Sequence, residues 1–123
     1  MNWAYGTIPG QLVSSKNRRR IVGFKTGRPR LIKSKEAAAF ESQPVTLTGG
    51  TKGITGPVVL TVRAYYASRR PDLDPQLLMD VLQKAGVIEN DRQVFELHAY
   101  KNLDPLNPRT EFEIRSIPEP RHA

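Results

Sequence analysis

Cysteine is absent from this 123-residue sequence, which excludes a disulfide framework and any metal site built on thiolates. Histidine occurs only twice, as His98 and His122, so a zinc site is disfavoured as well. No stretch approaches the roughly 18 apolar residues of a membrane span. Residues 1–10 also lack the charged start and apolar run of a signal peptide. We therefore expect a soluble cytoplasmic protein without a membrane partner.

Acidic residues are missing from the first 35 positions, although this part holds nine Lys and Arg side chains. The remaining residues hold ten basic and twelve acidic side chains, so the net charge of +7 comes from the N-terminal part. Such a segment attracts polyanions. A solvated tail or a targeting patch would be equally basic. Apolar residues interrupt this one, however, as in a folded strand pair, and this favours nucleic-acid binding.

We define the basic segment as residues 16–35. The side chains expected to contact nucleic acid are those of Lys16, Arg18, Arg19, Arg20, Lys25, Arg28, Arg30 and Lys33, together with Arg69 and Arg70 further along the chain.

Hydrophobic periodicity predicts one small α+β domain over residues 1–123, with two helices on a mixed, mostly antiparallel sheet. Strands are expected at residues 3–8, 20–24, 30–32, 57–66, 93–100 and 110–117, of which the second and third form a basic hairpin. Strand 57–66 is apolar on both faces, which predicts an interior position. Helices are expected from Lys35, capped by Ser34, and over residues 75–85, capped by Asp74. Residues 48–56 and 101–109 are expected to be loops, and residues 118–123 a tail.

Asp72 and Asp74 lie two residues apart, between a predicted strand and a predicted helix. In extended backbone, side chains at this spacing point to the same side, and Pro71 and Pro75 stiffen the segment. Two carboxylates held together in this way suit a hard cation such as Mg²⁺. Asp91 would join them if the chain returned along the helix to a strand beside strand 57–66. Helix capping alone would also explain Asp74, so the spacing leaves both interpretations open.

Other residues with possible chemistry favour structural roles. Asp80 is expected on a solvated helix face, paired with Lys84. Four aromatic residues could stack on bases but are more typical of a core or a sheet edge, namely Trp3, Tyr5, Tyr65 and Tyr66.

Several motifs resemble those of the RusA family of Holliday-junction resolvases. They are Pro9-Gly10, Ser15-Lys16-Asn17 and Gly27-Arg28-Pro29-Arg30-Leu31, then Arg69-Arg70-Pro71-Asp72-Leu73-Asp74, and finally residues 82–94, which end in Asp91-Arg92-Gln93-Val94. The resemblance implies a homodimer with a RusA-like fold that cuts four-way DNA junctions symmetrically, using Mg²⁺ or Mn²⁺ and no small-molecule substrate. By this resemblance Asp72, Asp74 and Asp91 bind the metal and are the catalytic residues.

The sequence departs from the family pattern at three positions. Where the family has Asn after the second Asp and Lys three residues later, this chain has Pro75 and Leu78. Asn90 also replaces an Asp before Asp91. The family's lysine is associated with catalysis, and Arg70, Lys84 or Arg92 are candidate replacements. Two alternatives stay open, a protein that binds branched DNA without cutting it and an RNA-binding protein.

Overall fold

The fold is built from seven strands and two helices in the computed structural model, which describes residues 2–118. Their bounds are β1 (Trp3–Pro9), β2 (Arg19–Val22), β3 (Arg30–Lys33), α1 (Lys35–Glu41), β4 (Thr46–Gly50), β5 (Val58–Tyr66), α2 (Gln76–Lys84), β6 (Val94–Leu103) and β7 (Arg109–Ser116). Except for Pro118, the expected tail and its His122 lie outside the described residues. No helix within residues 2–118 is long and apolar enough to cross a membrane.

Five strands form one sheet in the order β4-β1-β7-β5-β6, and β2 pairs with β3 in a separate hairpin. All neighbours in the large sheet are antiparallel except β5 and β6. The α+β class, the mostly antiparallel sheet, the basic hairpin and the interior position of β5 are thereby confirmed. Because β5 and β6 are parallel, a crossover connects them. It leaves the end of β5 at Tyr66 and includes α2, which begins at Gln76.

The core lies between one face of the sheet and the two helices. Alternate residues of β5 from Val58 to Tyr66 are fully buried, and α2 buries an apolar stripe against them. That stripe consists of Leu77, Leu78, Val81 and Leu82. Ser34 caps α1 as predicted, since its hydroxyl accepts a hydrogen bond from the Ala37 N–H at 3.2 Å. The sequence therefore positions both helices on the same side of the sheet, leaving its other face open.

Two loop predictions are wrong in part. Residues 48–50, expected to be flexible, belong to β4, which pairs with β1. Gly49 is needed there because a Cβ atom at this position would lie only 2.5–2.9 Å from the rings of Tyr5 and Trp3. Residues 101–103, also expected in a loop, continue β6 to Leu103 beside Tyr66. In both cases, pairing with a neighbouring strand overrides a local sequence that is weak in strand signals.

Candidate active site

Asp72 and Asp74 lie in the connection between β5 and α2, which is held in place from the sheet. The Lys101 ammonium donates hydrogen bonds to the carbonyl oxygens of Arg69, at 2.6 Å, and of Pro71. The Tyr66 hydroxyl donates to the carbonyl oxygen of Asp72 at 3.3 Å. The backbone that carries the two aspartates is thus attached to the ends of β5 and β6.

Asp74 is surrounded by hydrogen-bond donors. Its Oδ2 atom accepts from the Ser15 N–H at 2.9 Å, from the Ser15 hydroxyl, and from the Ser14 hydroxyl at 3.4 Å. Its Oδ1 atom accepts from the Gln76 N–H at 3.0 Å. Burial alone would raise the pKa of Asp74, but these donors hold the pKa below its ordinary value. The carboxylate therefore stays charged and anchors the loop before β2.

The predicted capping of α2 by Asp74 is displaced by one residue. The helix begins at Gln76, and Pro75 occupies the N-cap position without a side-chain hydrogen bond. Asp74 still satisfies the free N–H of Gln76 from one residue further back. Capping and anchoring thus use different oxygen atoms of the same side chain.

Asp72 is more open than Asp74. Its side chain is 60% exposed, and Oδ2 lies 3.0 Å from the Lys16 ammonium, whose side chain is 75% exposed. Burial, followed by the negative charges of Asp74 and Asp72, raises the pKa of Tyr66 to about 12. The Tyr66 hydroxyl therefore remains protonated and can keep donating to the Asp72 backbone.

Asp91 begins a 3-10 turn, Asp91–Gln93, that follows α2. Its N–H donates to the Gln83 side chain at 3.2 Å, and its side chain lines a cleft between α2 and β6. Pairing of β6 beside β5 is confirmed, but the register sets Val94 against Val58, at the start of β5. The other two aspartates follow the end of β5. The register alone therefore does not bring Asp91 to them.

The donor set fits a divalent cation in part. Asp72 offers an exposed carboxylate whose present partner is a cation, the Lys16 ammonium. Asp74 adds a charged carboxylate two residues away. Within residues 2–118, however, no three His, Cys, Asp or Glu side chains are arranged to hold a metal ion. The two neighbouring aspartates therefore suit a hard cation, whereas Asp91 is not part of a preformed three-carboxylate group.

A groove beside Asp72 is lined by cationic residues from two parts of the chain. Arg19 and Arg20 come from β2, and Arg70 comes from the connection that carries Asp72. Residues of α1, including Glu36 and Phe40, form part of the lining. Three guanidinium groups beside an exposed carboxylate form a surface on which phosphate groups could lie.

Four more cations of the basic segment lie on the hairpin, and one of them pairs with α1. Lys25, Arg28 and Arg30 are exposed around the turn that joins β2 to β3. Lys33 forms an ion pair with Glu41 of α1. Arg69, before the two aspartates, is exposed.

Arg18 lies in a partly buried ion network. Its guanidinium contacts Glu41 at 3.0 Å and Asp80 at 2.7 Å, and its side chain is 25% exposed. Burial alone would raise the pKa of Glu41, but Lys33, Lys84 and Arg18 lower it below its ordinary value. The predicted Asp80–Lys84 pair is wrong, because Asp80 bonds to Arg18 whereas Lys84 lies 3.9 Å from Glu41. The helix spacing was compatible with that pair, but a loop that is distant in sequence supplies a stronger partner.

The four aromatic residues considered in the sequence occupy three different settings. Trp3 and Tyr5 stack on each other on the open face of the sheet, with centroids 5.4 Å apart, and both are more than 40% exposed. Tyr65 lies under the Arg109 guanidinium at 3.9 Å. Tyr66 alone is a core residue, as its position next to the aspartates requires.

Three kinds of supporting residue were missed from the sequence. The first is the pair of serines that bind Asp74, and the second is Lys101, which was expected in a loop. The third is Gln93, whose side chain accepts from the N–H groups of Glu89 and Asn90 and donates to the carbonyl oxygens of Ile54 and Gly56. The fixed position of Gln93 in the Asp91-Arg92-Gln93-Val94 motif was the available signal for its role.

Comparisons with known proteins agree with the motifs. The family model described as Endodeoxyribonuclease RusA matches residues 9–115. A curated protein of Aquifex aeolicus (strain VF5), named Crossover junction endodeoxyribonuclease RusA, is 39% identical over 54 residues. That alignment covers 42% of this chain and 43% of the relative. Because the family match spans most of the sequence, including both aspartate motifs, the chain belongs to the RusA family.

Proposed function

We propose that this protein is a metal-dependent endodeoxyribonuclease that cuts four-way DNA junctions. The observation that carries the proposal is the attachment of the start of the basic segment to the aspartates, through Lys16 on Asp72 and through Ser15, the residue just before the segment, on Asp74. A cationic segment and two neighbouring carboxylates therefore lie next to each other, which supports a nuclease that binds phosphate and a metal ion there. Family membership and the name of the Aquifex relative support the same activity.

In this proposal Asp72 and Asp74 hold Mg²⁺, for which Mn²⁺ can substitute, and Asp91 contributes on the strength of its motif. The bound ion would lower the pKa of a water molecule and neutralise charge on the phosphate. Hydrolysis then adds the water oxygen to phosphorus and breaks one P–O ester bond. The water loses one proton, and the leaving oxygen gains one. Ser14 and Ser15 keep the Asp74 carboxylate oriented during these steps.

DNA phosphates are proposed to lie along the groove formed by Arg19, Arg20 and Arg70, with further contacts from Arg69 and the hairpin. Lys33 and Arg18 are paired with Glu41 and are therefore less free to contact phosphate. Each phosphate contact should contribute about 0.9 to the slope of log affinity against log salt. The groove would therefore supply affinity without sequence preference.

We further propose a homodimer, because symmetric cleavage of a junction needs two sites related by a two-fold axis. Strand β6 is at the edge of the sheet in the described residues and carries Phe95, Leu97 and Leu103, which are 42–60% exposed. An apolar edge strand invites pairing with a second copy. Sedimentation at micromolar concentration should detect the dimer. If the protein stays monomeric both free and on a junction, the paired-cut proposal fails.

A non-cleaving protein that binds branched DNA is the second candidate. It is favoured by the lack of a preformed three-carboxylate group within residues 2–118. Incubation with a synthetic four-way junction, with Mg²⁺ and with EDTA, separates the two candidates. Paired cuts that depend on Mg²⁺ support the nuclease, whereas tight binding without cuts supports the second candidate.

The variant that tests metal binding most directly is Asp72→Asn, because this side chain is exposed and pairs with Lys16. Cleavage should fall at least a hundredfold, since a neutral amide is a poor ligand for a hard cation. Junction binding in EDTA should be as tight as in the wild type, or tighter, because one negative charge near phosphate is removed. Cleavage above about a tenth of the wild-type rate would remove Asp72 from the metal site. Asp91→Asn tests the third ligand in the same assay.

A further inference from the structure

We propose that Lys16 is a catalytic residue whose ammonium group contacts the phosphate being cut. The inference rests on the proposed nuclease function and deepens it by naming the side chain that stabilises negative charge on the phosphate oxygens. Lys16 begins the basic segment and is the residue of that segment whose charged group lies beside Asp72.

The position of the Lys16 side chain follows from the backbone before it. The Lys16 N–H donates to the Ser14 hydroxyl at 3.3 Å, and the neighbouring Ser15 N–H donates to Asp74 at 2.9 Å. These contacts fix the start of the side chain next to both aspartates. Its Nζ atom then reaches Asp72 Oδ2 at 3.0 Å. The side chain is 75% exposed, so a phosphate can reach its ammonium group from solvent.

Two other cations near the site, those of Arg18 and Lys101, are bound to other groups. Arg18 binds Glu41 and Asp80, and the Lys101 ammonium binds two backbone carbonyl oxygens. Among residues 2–118, Lys16 is the one basic side chain within 4.0 Å of a carboxylate oxygen of the three aspartates.

Helix α2 cannot supply the charge. Leu78, where the family pattern expects a lysine, is completely buried in the core. Lys84 is in the last turn of the helix, 3.9 Å from Glu41. Arg92 contacts Asn90 in the turn before β6. Of the candidate replacements, Arg70 alone lies beside Asp72, where its side chain lines the groove. Arg70 makes no ion pair with Asp72, however, whereas Lys16 does, so the lysine from the loop before β2 is the better placed replacement for the helix residue.

The ion pair between Lys16 and Asp72 is easily rearranged, because both side chains are exposed and such pairs contribute little to stability. When a cation and a phosphate occupy the site, the ammonium group can leave the carboxylate for a phosphate oxygen a few ångströms away. A fixed donor aimed at charge that develops in the transition state typically contributes a factor of about 10²–10³ in rate. Lys16 should therefore affect the rate of cutting far more than it affects affinity.

The test compares Lys16→Ala, Lys16→Gln and Lys16→Arg with Lys52→Ala. Lys52 is an exposed lysine in the loop after β4, outside the groove and the basic segment. Cleavage of a four-way junction is followed in single turnover, with Mg²⁺ and saturating enzyme. Junction affinity is measured separately in EDTA at several salt concentrations, and Mg²⁺ affinity is measured without DNA.

We expect Lys16→Ala and Lys16→Gln to cut about 100-fold more slowly, with the salt slope reduced by only about 0.9. Lys16→Arg should recover most of the rate, and Lys52→Ala should cut like the wild type. Mg²⁺ affinity should be unchanged or higher in Lys16→Ala, because a competing cation is removed from Asp72.

If Lys16→Ala and Lys16→Gln cut within threefold of the wild-type rate at saturation, the role of Lys16 is overturned while the nuclease function stands. A loss of Mg²⁺ affinity in these variants would also overturn it, because the slower rate would then come from a damaged metal site. If the wild type does not cut, the proposed function fails, and the role of Lys16 fails with it.

Discussion

Replacement of Arg18 by Ala should destabilise the fold far more than replacement of its neighbour Arg19. Arg18 makes two ion-pair hydrogen bonds, at 2.7 Å to Asp80 and 3.0 Å to Glu41, and is three-quarters buried. Hydrogen bonds to charged groups contribute about 1.5–3 kcal/mol each, and burial of the charges offsets part of that. The buried Nε atom of Arg18 has no partner within the described residues and reduces the gain further.

After the substitution Glu41 would keep Lys33, but Asp80 would lose its partner at a site that is 24% exposed. We therefore expect Arg18→Ala to lower the free energy of unfolding by about 2–3 kcal/mol, or the melting temperature by about 10 °C. Arg19→Ala, on an exposed strand residue, should cost at most about 0.5 kcal/mol.

Urea unfolding of both variants, with junction affinity measured against salt, separates the two roles. Arg19→Ala should reduce the salt slope by about 0.9, whereas a stably folded Arg18→Met should reduce it much less. A double-mutant cycle with Glu41→Gln should give a coupling free energy of at least about 1 kcal/mol. Should Arg18→Ala unfold like the wild type and lose as much salt slope as Arg19→Ala, the network would be incidental and Arg18 a direct phosphate contact.

Three further perturbations test the supports of the site. Gln93→Glu removes two donors to backbone carbonyl oxygens, so urea unfolding should show a loss of about 2 kcal/mol, and an unchanged stability would contradict the role of Gln93. Lys101→Met should slow cleavage, because it removes the hydrogen bonds that hold the backbone before Asp72. It should leave the salt slope nearly unchanged, because no DNA contact is removed. Folding lowers the pKa of Glu41 below its ordinary value of 4.5. The ionised carboxylate therefore stabilises the fold at pH values above 4.5, and this contribution is lost as the pH falls through the pKa of the folded state. The stability advantage of the wild type over Glu41→Gln should therefore be full near pH 6 and shrink in acid, and a constant difference would refute this.

The secondary structure was largely readable because its signals are local. Alternating apolar residues predicted β5, and the hydroxyl of Ser34 predicted the start of α1. Strand β4 was missed because its glycines have no strand preference of their own. Gly49 is required by the rings of Trp3 and Tyr5, and Gly50 by the backbone of Trp3 and Ala4 and by its own positive φ of 84°. Only the tertiary structure reveals these requirements.

The sequence indicated which residues form the candidate site but not which residues they contact. The spacing of Asp72 and Asp74 predicted two carboxylates on one segment, and in the structure both lie in the connection between β5 and α2. Their partners lie nearly 60 positions earlier in the chain, and no pattern within the segment indicates such contacts. The Asp80–Lys84 prediction failed for the same reason, since a spacing rule for one helix cannot anticipate a loop that packs against it.

The contacts of Asp74 have a consequence for any test by substitution. One of its oxygen atoms accepts from three donors and the other from the N–H of Gln76, so an amide nitrogen in either position would face a donor. Asp74→Asn should therefore lose about 1–2 kcal/mol of stability and loosen the loop that carries Lys16. Asp72→Asn disturbs none of these bonds. A loss of cleavage in Asp74→Asn alone would thus mix metal binding with loop anchoring. An equal loss in Asp72→Asn, with Mg²⁺ affinity measured beside it, tests the charge that is proposed to bind the metal without disturbing the loop.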